Sequence, residues 1–168
     1  TTGDRQAQWN LAEKGGKGLF TKELEDALIQ GDADLAVHSA KDMPTECPPG
    51  LSLSAFVERG DPRDVLILKD GMDTPKVMAT GSPRRQAQLK DRFPQCAWIQ
   101  LRGNVETRLR KIAEQDEADG TILAAAGLAR LGLTGYPGLK FMHLPVSEMV
   151  PAAGQGAIAI QTRSGDKD

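Results

Sequence analysis

The sequence predicts an α/β fold with a mostly parallel sheet, arranged as one domain or two small lobes. Short apolar runs alternate with amphipathic stretches along most of the 168 residues, a pattern typical of βαβ units. A composition of 39% hydrophobic and 26% charged residues excludes a disordered or fibrous chain. The longest apolar run, at 122–129, is far below the roughly 18 residues that a membrane span needs.

The first half of the chain predicts one helix and three strands. Apolar residues recur at helical spacing through 19–30, and Gly31 supplies the stop. A strand is expected at 35–39. Residues 51–57 alternate apolar and polar side chains and predict a half-buried strand, whereas the wholly apolar 65–68 predicts a buried one.

Strands and helices then alternate through the second half. Ser82 is predicted to cap a helix that has Pro83 at its first position. Asn104 is predicted to cap another helix, which places Val105 and Leu109 on one face. The predicted order is strand 77–80, helix 83–92, strand 96–101, a helix from 105, strand 121–125, a helix near 128–131 and strand 157–162.

Positive charge is concentrated in a chain whose net charge is −2. Between residues 84 and 111 there are eight Lys or Arg residues and two acids. Arg84, Arg85 and Arg102 adjoin the two predicted caps, and Arg108 lies one turn further along. Caps that follow parallel strands share one sheet edge, where guanidinium groups can converge on a carboxylate or phosphate. Solvated helix faces are the alternative, and they are the prediction for Arg110 and Lys111.

One acid follows the strand at 35–39. Asp42 lies next to Lys41 at a strand end, where a carboxylate can stabilise a cationic intermediate or exchange protons. A turn-forming Asp before Met43-Pro44 explains the spacing equally well. His38, inside the strand, is predicted to be a hydrogen-bonded core residue.

Neither glycine-rich segment has a nucleotide-binding signature. Residues 15–18 lack the spacing of a P-loop, although Lys17 can still bind an anion there. Residues 154–159 match GxGxxA but precede an apolar strand instead of following one. Cys47 and Cys96 are far apart, so no disulfide framework or metal site is predicted and a reducing compartment is favoured.

Four ordered blocks resemble the porphobilinogen deaminase (hydroxymethylbilane synthase) family: 14–25, 38–44, 102–109 and 154–157. The family joins porphobilinogen units head to tail, with loss of ammonia, to give hydroxymethylbilane for haem. The resemblance implies that Asp42 is the catalytic acid. It also implies that nine residues bind the cofactor and substrate: Lys17, Lys41, Ser82, Arg84, Arg85, Arg102, Arg108, Arg130 and Gln155.

The resemblance also implies a two-lobed architecture like that of type II periplasmic binding proteins, with mixed, mainly parallel sheets, flanking helices and a cleft between the lobes. Domain 1 is expected at 1–58 and 156–168 and domain 2 at 62–152, with hinges near 58–62 and 152–156. The family's opening strand and its third domain, whose cysteine holds a dipyrromethane cofactor, are not found in this sequence. Cys47 and Cys96 lack the Gly-Gly-Cys context, so this chain alone is expected to be inactive.

The expected partners are porphobilinogen and the growing polypyrrole, bound by a cytoplasmic monomer, or by a plastid or other organellar protein if a transit peptide is missing. Nucleic acid is not expected, because the basic stretch has few aromatic residues to stack on bases. A non-enzymatic, two-lobed module that binds carboxylates or other anions is the open alternative. Such a module needs the arginines but has no use for Asp42.

Overall fold

The computed structural model describes residues 21–101 and 103–166, which form two compact units. Unit 1 contains the described residues up to Gly60 and those from Ala153 onward, and unit 2 is Asp61–Ala152. The loop at 15–18 with Lys17, the start of the helix predicted at 19–30, and Arg102 lie outside the described residues. Within the described part, no helix is long and apolar enough to cross a membrane.

In the described part of unit 1, one helix packs on a three-stranded sheet. Helix α1 (Lys22–Gln30) ends at Gly31, whose positive φ of 79° lets its N–H reach back to the last turn. The sheet order is β1 (Ala36–Ser39), β8 (Ile158–Arg163), β2 (Leu51–Val57). Both pairings with β8 are antiparallel, because the final strand returns between two strands that run the other way.

Unit 2 is built on a mixed five-stranded sheet flanked by helices. Its elements are β3 (Asp64–Lys69), β4 (Val77–Ala79), α2 (Pro83–Leu89), β5 (Ala97–Ile99), α3 (Val105–Glu114), β6 (Gly120–Ala124), α4 (Ala125–Arg130) and β7 (Leu139–His143). The strand order is β5-β4-β6-β3-β7. The predicted parallel pairing is found between β4 and its neighbours β5 and β6, whereas β3 runs antiparallel to β6 and β7.

The core of unit 2 lies on both faces of this sheet. Val65 and Ile67 pack on one face with α3 and α4, while Leu66 and Leu68 pack on the other with Met78. All four β3 residues are buried, which explains why the sequence there is continuously apolar instead of alternating.

Strand β7 and two helix ends differ from the sequence prediction. β7 was not predicted, because Lys140 and His143 interrupt its apolar pattern at an edge of the sheet. Helix α2 ends at Leu89 instead of 92, and α4 begins at Ala125, directly after β6. No side chain caps α4, so a search for capping residues does not find its start.

Candidate functional site

The sheet edge of unit 2 gathers polar side chains from four strand ends. β4, β5 and β6 end there, and the antiparallel β3 begins there, with Asp64 opposite Ala124. Both predicted caps are confirmed. The Ser82 hydroxyl accepts a hydrogen bond from the Arg85 N–H at 3.4 Å, and the Asn104 side chain accepts one from Thr107 at 2.8 Å.

Asp64 joins the two arginines of the first cap. Its Oδ1 accepts hydrogen bonds from Arg85 Nε at 3.1 Å and Nη2 at 2.7 Å, and its Oδ2 accepts one from Arg84 Nη2 at 2.7 Å. Asp64 is fully buried and Arg85 is 8% exposed, whereas the Arg84 side chain keeps 25% exposure. Two guanidinium groups therefore share one carboxylate, and these three side chains together carry one positive charge.

Backbone carbonyl groups hold the same guanidinium groups from other directions. Arg85 Nη1 donates to the Ile122 carbonyl at 3.1 Å, and Arg84 Nη1 donates to the carbonyl of Val150. Sequence reasoning missed Asp64, since the strand was predicted to begin one residue later. The sequence did contain a signal, because Asp64 directly precedes the wholly apolar residues 65–68. An acid that is buried with such a strand requires a cationic partner.

Arg108 extends this positive region along α3. The residue is half-buried, and its Nε donates to the Gly103 carbonyl at 2.7 Å. Burial, and secondly the positive charge of Arg85, lower the pKa of Arg108. Among the described residues, no carboxylate forms an ion pair with Arg108. The guanidinium groups of Arg85 and Arg108 therefore repel each other, and this repulsion favours the binding of an anionic group.

A hollow lies near Ser82, whereas Arg130 lies at the end of α4 that is remote from β6. Arg130 is exposed at the last residue of α4. A shallow hollow of about 190 Å³ lies beside the first cap, with Ser82 and Trp98 among its lining residues. It offers the hydroxyl group of Ser82 and the aromatic side chain of Trp98.

In unit 1, Asp42 is exposed at the end of β1. It is the last residue of a 3₁₀ turn, Ala40–Asp42, in which Lys41 is also exposed. His38, further back in β1, is buried and hydrogen-bonded to Gln161 at 2.9 Å, as predicted. The strand therefore keeps its imidazole in the core and presents its acid to solvent.

A glycine turn supports the segment that carries Asp42. Ala157 donates to the Gly154 carbonyl and accepts from the Ala40 N–H, both at 3.1 Å. Gln155, within this turn, is 1% exposed, and its backbone carbonyl accepts from Arg59 Nε at 3.0 Å. The turn thus places Gln155 inside unit 1 and brings its backbone against the start of the 3₁₀ turn.

Gly154→Ala is expected to lower the free energy of unfolding by about 1–3 kcal/mol. Gly154 has a φ of +71°, and an added Cβ would lie 3.0 Å from the Ala40 carbonyl carbon. Urea unfolding measures the loss. Gly165→Ala is the matched control, because Gly165 has a φ of +85° and open space around it. Equal losses for the two variants would contradict a role for the contact with Ala40.

Solved structures similar to this chain share its fold at low sequence identity. The effector-binding domain of BenM with its effector benzoate has a TM-score of 0.54 at 13% identity, covering 88% of this chain and 68% of that one. Prephenate dehydratase from Arthrobacter aurescens in complex with L-Phe has a TM-score of 0.54 at 12% identity, covering 87% and 50%. At such low identity the two similarities are evidence of the fold alone. They confirm the predicted α/β fold, which is of the periplasmic-binding type.

Comparison with curated protein sequences identifies the family of this chain, which the similar folds do not. The porphobilinogen deaminases of Syntrophomonas wolfei subsp. wolfei and Phenylobacterium zucineum are each 49% identical to this chain and match all of it. The matches cover 55% and 53% of those proteins, so the chain spans about half the length of the curated relatives it matches. A family model described as porphobilinogen deaminase, dipyromethane cofactor binding domain, matches residues 1–168. The chain belongs to the porphobilinogen deaminase family.

Proposed function

We propose that this chain forms the part of a porphobilinogen deaminase that holds the substrate and cofactor. The whole enzyme would join porphobilinogen units head to tail, with loss of ammonia, to give hydroxymethylbilane. The arrangement of Arg84 and Arg85 around the single carboxylate of Asp64 carries the proposal, because it leaves net positive charge at one sheet edge, to which Arg108 adds a further cation. Porphobilinogen and its oligomers bear carboxylates on every ring, which such a region recognises.

The same residues fit a dipyrromethane cofactor, since each of its rings also bears carboxylates. Arg108, half-buried and without a carboxylate partner in the described chain, is the residue best placed to take one. Arg84 and the Ser82 hydroxyl group would bind further carboxylate oxygens. When bound, the cofactor supplies the primer to which the first pyrrole is joined. In the family, the cysteine that attaches the cofactor follows two glycines. Neither Cys47 nor Cys96 follows two glycines, so neither is proposed as the attachment residue.

Asp42 is proposed to act on the reacting pyrrole. When the C–N bond of the aminomethyl substituent breaks, the amino group leaves as ammonia and the retained methylene carbon shares a positive charge with the ring. A carboxylate near the ring nitrogen stabilises that charge. An exposed carboxylate at the end of β1 suits this role, because it can reach substrate without unfolding its strand. The supporting Gly154 turn limits the freedom of the backbone beneath it.

We further propose that the enzyme works as a monomer in the cytoplasm. The free thiols of Cys47 and Cys96 support a reducing compartment. Size-exclusion chromatography with light scattering tests the oligomeric state, and a stable dimer would contradict this part of the proposal.

Arg108→Met is expected to weaken porphobilinogen binding about tenfold, the effect of one lost charged hydrogen bond. The variant should unfold at or above the wild-type temperature, because it removes a half-buried charge that Arg85 repels. Calorimetric titration with porphobilinogen and thermal unfolding measure the two effects. Arg110→Met, at an exposed position of the same helix, is the control and should bind normally.

Tight binding of a simple dicarboxylate such as succinate, with no binding of porphobilinogen, would contradict the proposed function. That result would favour the non-enzymatic carboxylate-binding module. Unchanged porphobilinogen affinity in Arg108→Met would remove Arg108 from the binding residues.

A further inference from the structure

Asp64 is a buried acid to which the resemblance assigns no role. Burying a carboxylate costs several kcal/mol unless cations and hydrogen bonds compensate it. Here Arg84 and Arg85 provide that compensation through three hydrogen bonds of 2.7–3.1 Å. The carboxylate has no exposed surface, so it does not itself reach a ligand in solution.

The bonds to Asp64 determine where both guanidinium groups point. Arg85 is held between Asp64 and the Ile122 carbonyl, and Arg84 between Asp64 and the Val150 carbonyl. A free arginine side chain loses about 2 kcal/mol of rotamer entropy when it is immobilised. Side chains that are already oriented before binding avoid most of that loss when a ligand arrives.

We propose that Asp64 is a positioning residue for anion binding, which orients Arg84 and Arg85 and cancels one of their two charges. This inference rests on the proposed function, because it deepens the role of the same arginines. Asp64 acts through those arginines and does not touch the ligand. Its charge lies between the two guanidinium groups and partly offsets their mutual repulsion, so both cations can occupy one sheet edge.

The effects of charge and of orientation predict opposite outcomes for Asp64→Asn. If only net charge matters, removing a negative charge beside an anion site strengthens anion binding. If orientation matters, binding weakens. Each carboxylate oxygen of Asp64 accepts from a different arginine, and in asparagine an NH₂ group, which donates and cannot accept, replaces one of those two oxygens. We expect porphobilinogen affinity to fall about tenfold or more in Asp64→Asn.

The experiment compares wild type, Asp64→Asn and Asp73→Asn by calorimetric titration. Asp73→Asn makes the same charge change at an exposed acid of unit 2 and should bind normally. The Arg85 Nε–H resonance, observed by ¹⁵N NMR without ligand, should exchange with water faster in Asp64→Asn. Unchanged or tighter binding by folded Asp64→Asn, or unchanged Arg85 exchange, would overturn the proposal.

A second ligand separates this proposal from the proposed function. Propane-1,2,3-tricarboxylate offers carboxylates without a pyrrole ring. If the wild type binds it but ignores porphobilinogen, the proposed function fails, whereas weaker tricarboxylate binding by Asp64→Asn still supports positioning. If the wild type binds neither ligand, both proposals fail.

If Asp64→Asn does not fold, Asp64→Glu tests the positioning role of Asp64 instead. It keeps the negative charge but displaces the carboxylate by one methylene group, so only the orientation changes. Weaker binding by folded Asp64→Glu supports positioning, and affinity within about twofold of wild type overturns it.

Discussion

Replacing Asp42 by alanine is expected to reduce porphobilinogen consumption by at least about 100-fold, the range that a positioned acid or base contributes. Folding should be unaffected, because Asp42 is exposed at the end of a 3₁₀ turn and packs no part of the core. The measurement is the rate of porphobilinogen loss by the intact enzyme that contains this chain, together with its thermal unfolding.

Glu46→Ala is the matched control for Asp42→Ala. Glu46 is an exposed acid in the same loop, and its removal changes the net charge equally. Its rate should remain within about twofold of wild type. Wild-type turnover by Asp42→Ala would leave Asp42 with the turn-forming role that its place before Met43-Pro44 also explains.

Arg85→Leu is expected to destabilise unit 2 by about 3 kcal/mol, because breaking a buried ion pair leaves a buried charge undercompensated. Asp64 has no exposed surface and would lose one of the two arginines described at its carboxylate, while the Ile122 carbonyl would lose a donor. A loss of this size lowers the melting temperature of a domain of this length by more than about 10 °C. Thermal unfolding and amide exchange in β3 and β6 measure it.

A double variant tests whether the loss of stability in Arg85→Leu arises because the buried carboxylate of Asp64 has lost a cationic partner. Asp64→Asn combined with Arg85→Leu removes both members of the pair, so it should be more stable than Arg85→Leu alone. Arg110→Leu is the control for losing an exposed arginine and should change stability by less than about 0.5 kcal/mol. A double variant no more stable than Arg85→Leu would contradict this explanation.

Local features of this chain were predictable because they depend on neighbours in sequence. Ser82 followed by Pro83, and Asn104 three residues before Thr107, contain all that a helix cap needs. The continuous apolar run at 65–68 predicted a strand buried on both faces. Four motif blocks also led to the family that the comparisons confirm.

Other features of the fold depend on the pairing of strands that are distant in sequence. The sequence did not reveal these features. Strand β7 forms against β3, and its own apolar pattern is too weak to predict it. The antiparallel β8 separates β1 from β2. The pairings in the described part of unit 1 are therefore antiparallel, despite the parallel sheet favoured by the alternation of elements.

The amino acids by themselves determined that arginines would gather at a strand-to-helix edge and that one acid would follow β1. Only the tertiary structure decided that Arg84 and Arg85 both bind Asp64, an acid some twenty residues earlier in the chain. The physical reason is the reversal of β3, which brings its amino end beside the carboxyl end of β6. Strand direction results from long-range pairing, and a local pattern of residues does not encode it.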